Sequence, residues 1–252
     1  MNIQLQIVVA YYNQLDFFTT IKNINYNKCI IYNKSESNIS LHDMISHMPC
    51  SKINMIEYLE NKGREGETYL HHIIQNYDNL SEYTLFIQDD TDNHIPNNKD
   101  FINLTERIIK ERKPVHQYNT TWNRNEKITN RIIRGGRCHL STFSHDYAIR
   151  DACKELHVEL PSIYTTPTCA FFILHKDTIR QHEKDFYIRI RTWLLEKEEN
   201  GYILEHMWKL IFDSENKGIT EKKEPSTSLT DLVNNAAASV ITSFVRKYNA
   251  NL

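Results

Sequence analysis

An α/β domain with a mainly parallel sheet is what this sequence predicts, on three observations. Residues 3–10 (IQLQIVVA) are rich in β-branched and aliphatic side chains and become continuously apolar toward their end, as a strand buried on both faces requires. Strand-like and helix-like stretches then alternate through residue 87, the rhythm of βαβ units whose strands run parallel. The strand-like runs break into polar or aromatic loops at 11–14 (YYNQ), 33–35 (NKS) and 88–94 (QDDTDNH), and ligands of such sheets bind outside the carboxyl ends of the strands.

The remaining elements follow in order. A short helix is expected over 15–24, a second strand over 28–32 (KCIIY), and residues 53–59 are ambiguous between strand and helix. The turn 63–67 (GREGE) opens a helix whose apolar residues Leu70, Ile73, Ile74 and Tyr77 fall at helical spacing, with Asn79 as its stop. Residues 83–87 (YTLFI) form a third strand, and 101–112 a helix. Residues 113–144 are polar, hold Gly135-Gly136, and read as a long excursion with little regular structure, the kind of segment that is functional or disordered. A helix is expected over 146–157, a buried strand over 168–175 (TCAFFILH), a long helix over 177–195 and another over 204–212. A linker (214–229) then leads to a C-terminal helical appendage (230–252) with Leu232, Val233, Ala236, Val240, Ile241, Phe244 and Val245 on one face. The domain organisation is therefore 1–213, linker, and amphipathic helix, which carries too few Lys and Arg for a membrane surface and suits its own domain or a homodimer contact.

Composition excludes several classes. A formal net charge of -2 offers no global field for nucleic acid or anionic membrane. The cysteines (29, 50, 138, 153, 169) are odd in number and contain no CxxC pair, which argues against a disulfide framework or zinc ribbon and for reduced thiols, with Cys169 in the core. No signal peptide and no bilayer-spanning run is visible, so a cytoplasmic location is expected. The plentiful Asn residues reflect composition more than chemistry.

The strongest chemical signal is Asp89-Asp90-Thr91-Asp92, directly after a buried strand. Carboxylates this close repel one another unless a divalent cation joins them, and hard oxygen ligands suit Mg2+ or Mn2+, which would neutralise a diphosphate. His94 is a further candidate ligand. A solvated acidic turn is the alternative reading. Arg64, at a helix N-terminus among small residues, is placed for a phosphate or nucleobase, with simple capping by Thr68 and the neighbouring Glu residues as the alternative. Glu205, in the apolar run YILEHMW (202–208), is a candidate general base; an ion pair with Lys209 or an Arg is the plainer reading. His71-His72 lack the i, i+4 partner of a zinc helix and read as packing or surface residues, while His139, His145 and His175 stay unassigned.

The stretches VVAYYN (8–13), NKGREGETYLHHIIQNYDNLSEYTLFIQDDTDNH (61–94) and ILEHMWKLIF (203–212) resemble a little-characterised family of glycosyltransferase-like domains of unknown function, related by pattern to GT-A-type glycosyltransferases. The resemblance covers roughly the first hundred residues and returns over 168–212. The family's loop reads QGDP-x-DH: Gln88, Asp90 and His94 match it, Asp89 stands where Gly is usual, Thr91 where Pro is usual, Asn93 where an acid is common, and Asp92 at the variable position. The resemblance implies a GT-A-like, Rossmann-like fold with the nucleotide at the strand ends. Tyr11, Tyr12 and Asn33 then lie near the nucleoside, Arg64 and Asp89 beside the donor, and the metal on Asp90, Asp92 and His94, with Glu205 near the acceptor.

The leading expectation is a Mn2+- or Mg2+-dependent glycosyltransferase moving a sugar from a nucleotide-diphospho-sugar, UDP-sugar favoured, to a hydroxyl on a glycan, protein or small molecule. The acceptor side is expected at 113–144, with Trp122, Arg134 and Arg137. A non-catalytic binding module of the same fold, and another metal-dependent phosphate-ester enzyme, are the competing readings.

Overall fold

The structure, a computed structural model, describes residues 4–36, 53–92, 94, 95, 97–118, 126–129, 145–160, 163–166 and 170–212. These belong to the first of two units, residues 1–217; the second, 218–252, with the expected amphipathic helix and homodimer contact, lies outside the described residues, as do most of 113–144 and Cys169.

The element order is β1 (Leu5–Tyr11), α1 (Phe17–Ile21), β2 (Lys28–Asn33), β3 (Ile53–Tyr58), α2 (Arg64–Asn76), a 3-10 turn (Tyr77–Asn79), β4 (Tyr83–Gln88), α3 (Asn98–Lys110), β5 (Val115–Gln117), β6 (Glu126–Thr129), α4 (His145–Leu156), β7 (Ile163–Thr166), β8 (Phe172–His175), α5 (Lys176–Ile179), α6 (Lys184–Glu196) and α7 (Glu199–Phe212). Six strands form one sheet in the order β3-β2-β1-β4-β8-β5, in which β8 alone runs against the others, antiparallel to both β4 and β5; β6 and β7 pair as a separate antiparallel ribbon. The predicted mostly parallel α/β sheet flanked by helices is what forms. From β1 the chain winds outward through β2 to β3 and then returns across to β4, so the strand order reverses between β1 and β4. A crevice opens at the carboxyl ends of such a pair because the two connections leave in opposite directions.

Alternation along the strands builds two cores. Val8, Ala10, Ile30, Tyr32, Phe86, Phe172 and Leu174 face α2, α4, α6 and α7, whose Tyr69, Trp208 and Phe212 rings pack with Phe86 and Phe172. Leu5, Ile7, Val9, Tyr11, Ile31, Leu85, Ile87 and Ile173 face α1 and α3 through Phe17, Phe18, Ile21, Phe101 and Ile108. The whole of β1 is buried on both faces.

Several expectations change in detail. Residues 53–59 resolve as the edge strand β3, whose exposed Met55 and Tyr58 and half-buried neighbours explain its ambiguous pattern. The single helix expected over 177–195 is two, α5 and α6, because the chain turns at 180–183 and Glu183, in extended conformation, starts α6 afresh. The helix expected from 204 begins at Glu199 and carries Gly201 within it. The excursion contains β5 and β6, which a polar composition hides. Asn97 caps α3 by accepting from the Lys99 and Asp100 amides, which moves that helix start ahead of residue 101. No helix among the described residues is long and apolar enough to cross a membrane.

Candidate active site

The crevice at the β1/β4 reversal is a cleft of about 260 Å³ lined by Ala10, Tyr11, Tyr12, Lys34, Asn61, Arg64, Glu65, Gln88 and Asp89. It joins the ends of β1, β2 and β4 to the start of α2. Of the residues singled out from sequence, Tyr11, Tyr12, Arg64 and Asp89 line it directly.

Asp89 organises one wall. Its Oδ2 accepts the backbone amides of Tyr12, Asn13 and Gln14 at 2.8, 2.8 and 2.7 Å, while its own carbonyl accepts the Phe17 amide at 3.2 Å. A carboxylate with three amide donors is a strong fixed acceptor. The β1–α1 loop is thereby clamped to the acidic loop, and that oxygen is taken up by the protein itself. Thr91, fully buried, continues the clamp: its hydroxyl accepts from Thr20, which also donates to Asn98, and its carbonyl accepts the His94 and Ile95 amides. Tyr11 is buried edge-on against Phe17, and burial followed by the Asp89 charge pushes its phenol above the usual range. Tyr12 is half exposed at the mouth.

Asp90 and His94 stand beside this wall, with His94 Nε2 3.8 Å from Asp90 Oδ2 and the His94 ring stacked on Phe171. Burial holds the His94 imidazole below its ordinary range; the Asp90 and Glu65 charges oppose that and Arg64 reinforces it. Asp92 is exposed. Asp16, which no sequence pattern singled out, belongs to the same group: burial, then Asp92, Asp90 and Asp89 in turn, raise its carboxyl. Among the described residues no group of three His, Cys, Asp or Glu side chains converges as a metal cage. Hard carboxylate oxygens on Asp16, Asp90 and Asp92 nevertheless match the donors that Mg2+ or Mn2+ take, since such ions keep waters and phosphate oxygens in their shell and need only one or two carboxylates. The donor set fits a divalent ion shared with a diphosphate, and does not fit an ion held by protein alone.

The opposite wall is built on α2. Gly63 and Arg64 both have left-handed backbones (φ 63° and 54°), and Arg64 is a non-glycine residue in that region, a conformation that only a determining surround sustains. Its guanidinium lies 3.5 Å from Glu65 Oε2, 3.2 Å from Glu205 Oε1, and 4.2 Å above the Tyr202 ring. Glu205 therefore does pair with an Arg, the plainer of its two sequence readings. Burial and the adjoining Glu65 carboxyl push its pKa up to about 8 against the pull of Arg64. Gly201 admits this arrangement, because a Cβ there would sit 2.8 Å from Arg64 Cδ. Beneath, Lys34 is buried (side chain 4% exposed) and binds the Lys62 carbonyl, the Arg64 carbonyl at 2.7 Å and Glu67 Oε2 at 3.0 Å; Arg191 binds Glu67 Oε1 through Nε and Nη2 at 3.1 and 2.7 Å.

Asn33 lies at the end of β2 but not in the cleft lining: its Oδ1 accepts from the Ser35 amide and hydroxyl, closing the strand end. His71 pairs with Glu57, and His72 is buried against Tyr32 and held neutral, down to about 3, by burial; both are the packing residues their spacing suggested. Sequence reasoning missed Asp16 and Arg191 as parts of the site, and took Glu65 and Glu67 only as helix-dipole residues. Lys34 carried one usable signal, a charge placed immediately after a buried strand. A second cleft, about 480 Å³, shares Asn61 and Arg64 and continues over Leu194, Leu195, Lys197 and Glu198.

No curated protein matches the chain. Among solved structures it is similar to S. aureus TarS 1-349 (12% identity over 77% of this chain and 56% of that one, TM-score 0.40) and to S. aureus TarS 1-349 in complex with UDP (11%, 81% and 55%, TM-score 0.43). The chain thus spans just over half the length of those structures. A family model described as a protein of unknown function (DUF3431) matches residues 32–227, most of the chain, including the Arg64 turn and the acidic loop but not the β1–α1 side of the cleft, and the protein belongs to that family.

Proposed function

We propose that the protein is a nucleotide-diphospho-sugar-dependent glycosyltransferase whose donor binds in the cleft at the β1/β4 reversal. One observation carries the reading: the acidic loop after β4 and the Arg64 turn at the start of α2 line the same crevice at the strand ends. In it the nucleoside lies toward Tyr11, Tyr12 and the Asn33 end of β2, and the diphosphate between Arg64 and Asp90. Electrostatics support a cation-dependent donor. Asp16, Asp89, Asp90 and Asp92 crowd the site, whereas Lys34 is matched by Glu67 and Arg64 by Glu65. An unaccompanied diphosphate would meet net negative charge, and a divalent ion reverses that. Asp90 and Asp92, with His94 and Asp16 at hand, would hold the Mn2+ or Mg2+, which when bound neutralises the diphosphate. UDP-sugars are the favoured donors.

The chain's own residues would then do the rest. Asp89 fixes the β1–α1 loop against the nucleotide. Arg64 orients the phosphates. Glu205, an unusually basic carboxylate, accepts the proton of the acceptor hydroxyl as its oxygen bonds to the anomeric carbon; the bond from that carbon to the diphosphate oxygen breaks and its electron pair leaves with the nucleoside diphosphate. The acceptor enters from the second cleft, which shares Arg64.

Release of nucleoside diphosphate from UDP- and GDP-sugars, with and without Mn2+, tests this. Metal-dependent turnover that Asp90→Ala abolishes is the expected result; no turnover with any donor, or full turnover in Asp90→Ala, overturns it. A second reading is favoured by the contact of Glu205 Oε1 with the Arg64 guanidinium at 3.2 Å, which occupies the candidate base. It is a binding module that holds sugar nucleotides without metal and without turnover.

A further inference from the structure

We infer that Lys34 is a positioning residue: by binding the carbonyl oxygens of Lys62 and Arg64 it locks the left-handed Gly63–Arg64 turn and so presents the Arg64 guanidinium to the cleft. An ammonium has three N–H donors, and here each has a partner in the Lys62 carbonyl, the Arg64 carbonyl and Glu67 Oε2. Nothing is left over for a ligand, although Lys34 lines the cleft. That separates it from a lysine that grips phosphate directly, and it assigns the buried charge to the backbone of the turn.

The cost of burying an ammonium is offset only when its partners are well placed, and the network does this with care. Glu67 faces Lys34 through one oxygen and Arg191 through the other, tying β2, α2 and α6 to one point. The turn needs such a lock. Gly63 and Arg64 are both left-handed, and the Gly63 carbonyl is already used by the Glu67 amide. The Lys62 and Arg64 carbonyls are bound by a side chain 28 and 30 residues upstream. Neutralising Lys34 removes its bond from both carbonyls, and Arg64 returns to the ordinary right-handed region with its side chain swung from Glu205 and Tyr202.

The geometry of the lock stands by itself; its effect on ligand rests on the cleft being a nucleotide-diphosphate site. The lock is read by trypsin on the full-length chain, because the bonds after Lys62 and Arg64 carry the two bound carbonyls. Lys34→Met is expected to speed cleavage at both bonds at least about 10-fold, with cleavage after Lys110 and Arg180 unchanged. Glu67→Gln, which leaves the Lys34 bonds to both carbonyls, is expected to speed these cleavages less than Lys34→Met does. Should Lys34→Met fail to fold, acetic anhydride labelling of the wild-type chain serves: Lys34 is expected to react at least about 10-fold more slowly than the exposed Lys62. In UDP titrations with Mn2+, Lys34→Met and Arg64→Ala should weaken binding by the same factor, about 10-fold, and the double variant no further, a coupling that general destabilisation does not produce. Unchanged cleavage in a folded Lys34→Met, labelling of Lys34 as fast as Lys62, or additive losses in the double variant would each overturn the inference. If trypsin responds as expected while no form of the protein binds UDP, the lock stands and the nucleotide reading falls.

Discussion

The two walls of the cleft face each other and are fixed by different means. On the β4 side a single carboxylate, Asp89, collects three amides, and the turn behind it is closed by neutral bonds among Thr20, Thr91 and Asn98. On the α2 side the fixing groups are charges paired with charges: Lys34 with Glu67, Glu67 with Arg191, and Arg64 with Glu65. Removing one neutral bond costs about 1 kcal/mol, more where a buried partner is left unsatisfied, and less than breaking a buried ion pair. A buried ion network loses much, since the partner is left charged and dry. The β4 wall is therefore expected to tolerate change except at Asp89, and the α2 wall to respond to charge and pH.

Substitutions can break that contrast. Asp89→Ala should have the largest effect, about 3 kcal/mol in chemical denaturation, as three amides lose a charged acceptor; Asp89→Asn, which keeps a carbonyl oxygen, should cost about 1 kcal/mol. Equal losses for the two would mean that the charge is immaterial. The α2 wall should show itself in pH dependence. The Glu205 carboxyl is raised when folded, from 4.5 to about 8, so the folded state holds a proton that the unfolded chain has released. Its contribution is fully present below pH 4.5 and is lost as pH rises toward about 8, making stability fall across that window. Glu205→Gln should flatten this slope in denaturation series at pH 5 and pH 8. Gly201→Ala is subtler: its Cβ displaces the flexible Arg64 side chain, so stability should change by less than about 1 kcal/mol while the Arg64 side chain loses its seat. A measurable loss of UDP affinity without a fall in melting temperature is the expected signature. Thr91→Val should cost about 1 kcal/mol and leave UDP affinity unchanged, with Thr20 still bonded to Asn98.

Much of this contrast was legible in sequence on one wall only. β1, β2 and β4 announce themselves as apolar runs because both their faces are covered, and the acidic loop was found because it follows such a run directly. The edge strand β3 alternates weakly and could not be told from helix. On the α2 wall the sequence offers Arg64 as a phosphate or nucleobase contact with capping as the alternative, and Gly63, Glu65 and Glu67 look in one dimension like any helix start. Its true partners are distant: Lys34 is 33 positions from Glu67, and Arg191 is 124. Charge pairs of that separation leave no periodicity. Asp89 shows the converse. It was legible as a carboxylate beside a ligand site, but the amides it binds are about as far away as the loops the fold brings together, at 75 to 77 positions.

The central claim is that the acidic loop and the Arg64 turn make one diphosphate site that needs a divalent ion. Isothermal titration of UDP into the full-length protein, with and without Mn2+, for wild type and Asp90→Ala, tests it most directly. Binding that appears with Mn2+ and weakens at least about 10-fold in Asp90→Ala is the expected result. Binding indifferent to the metal, or unchanged in Asp90→Ala, would contradict it.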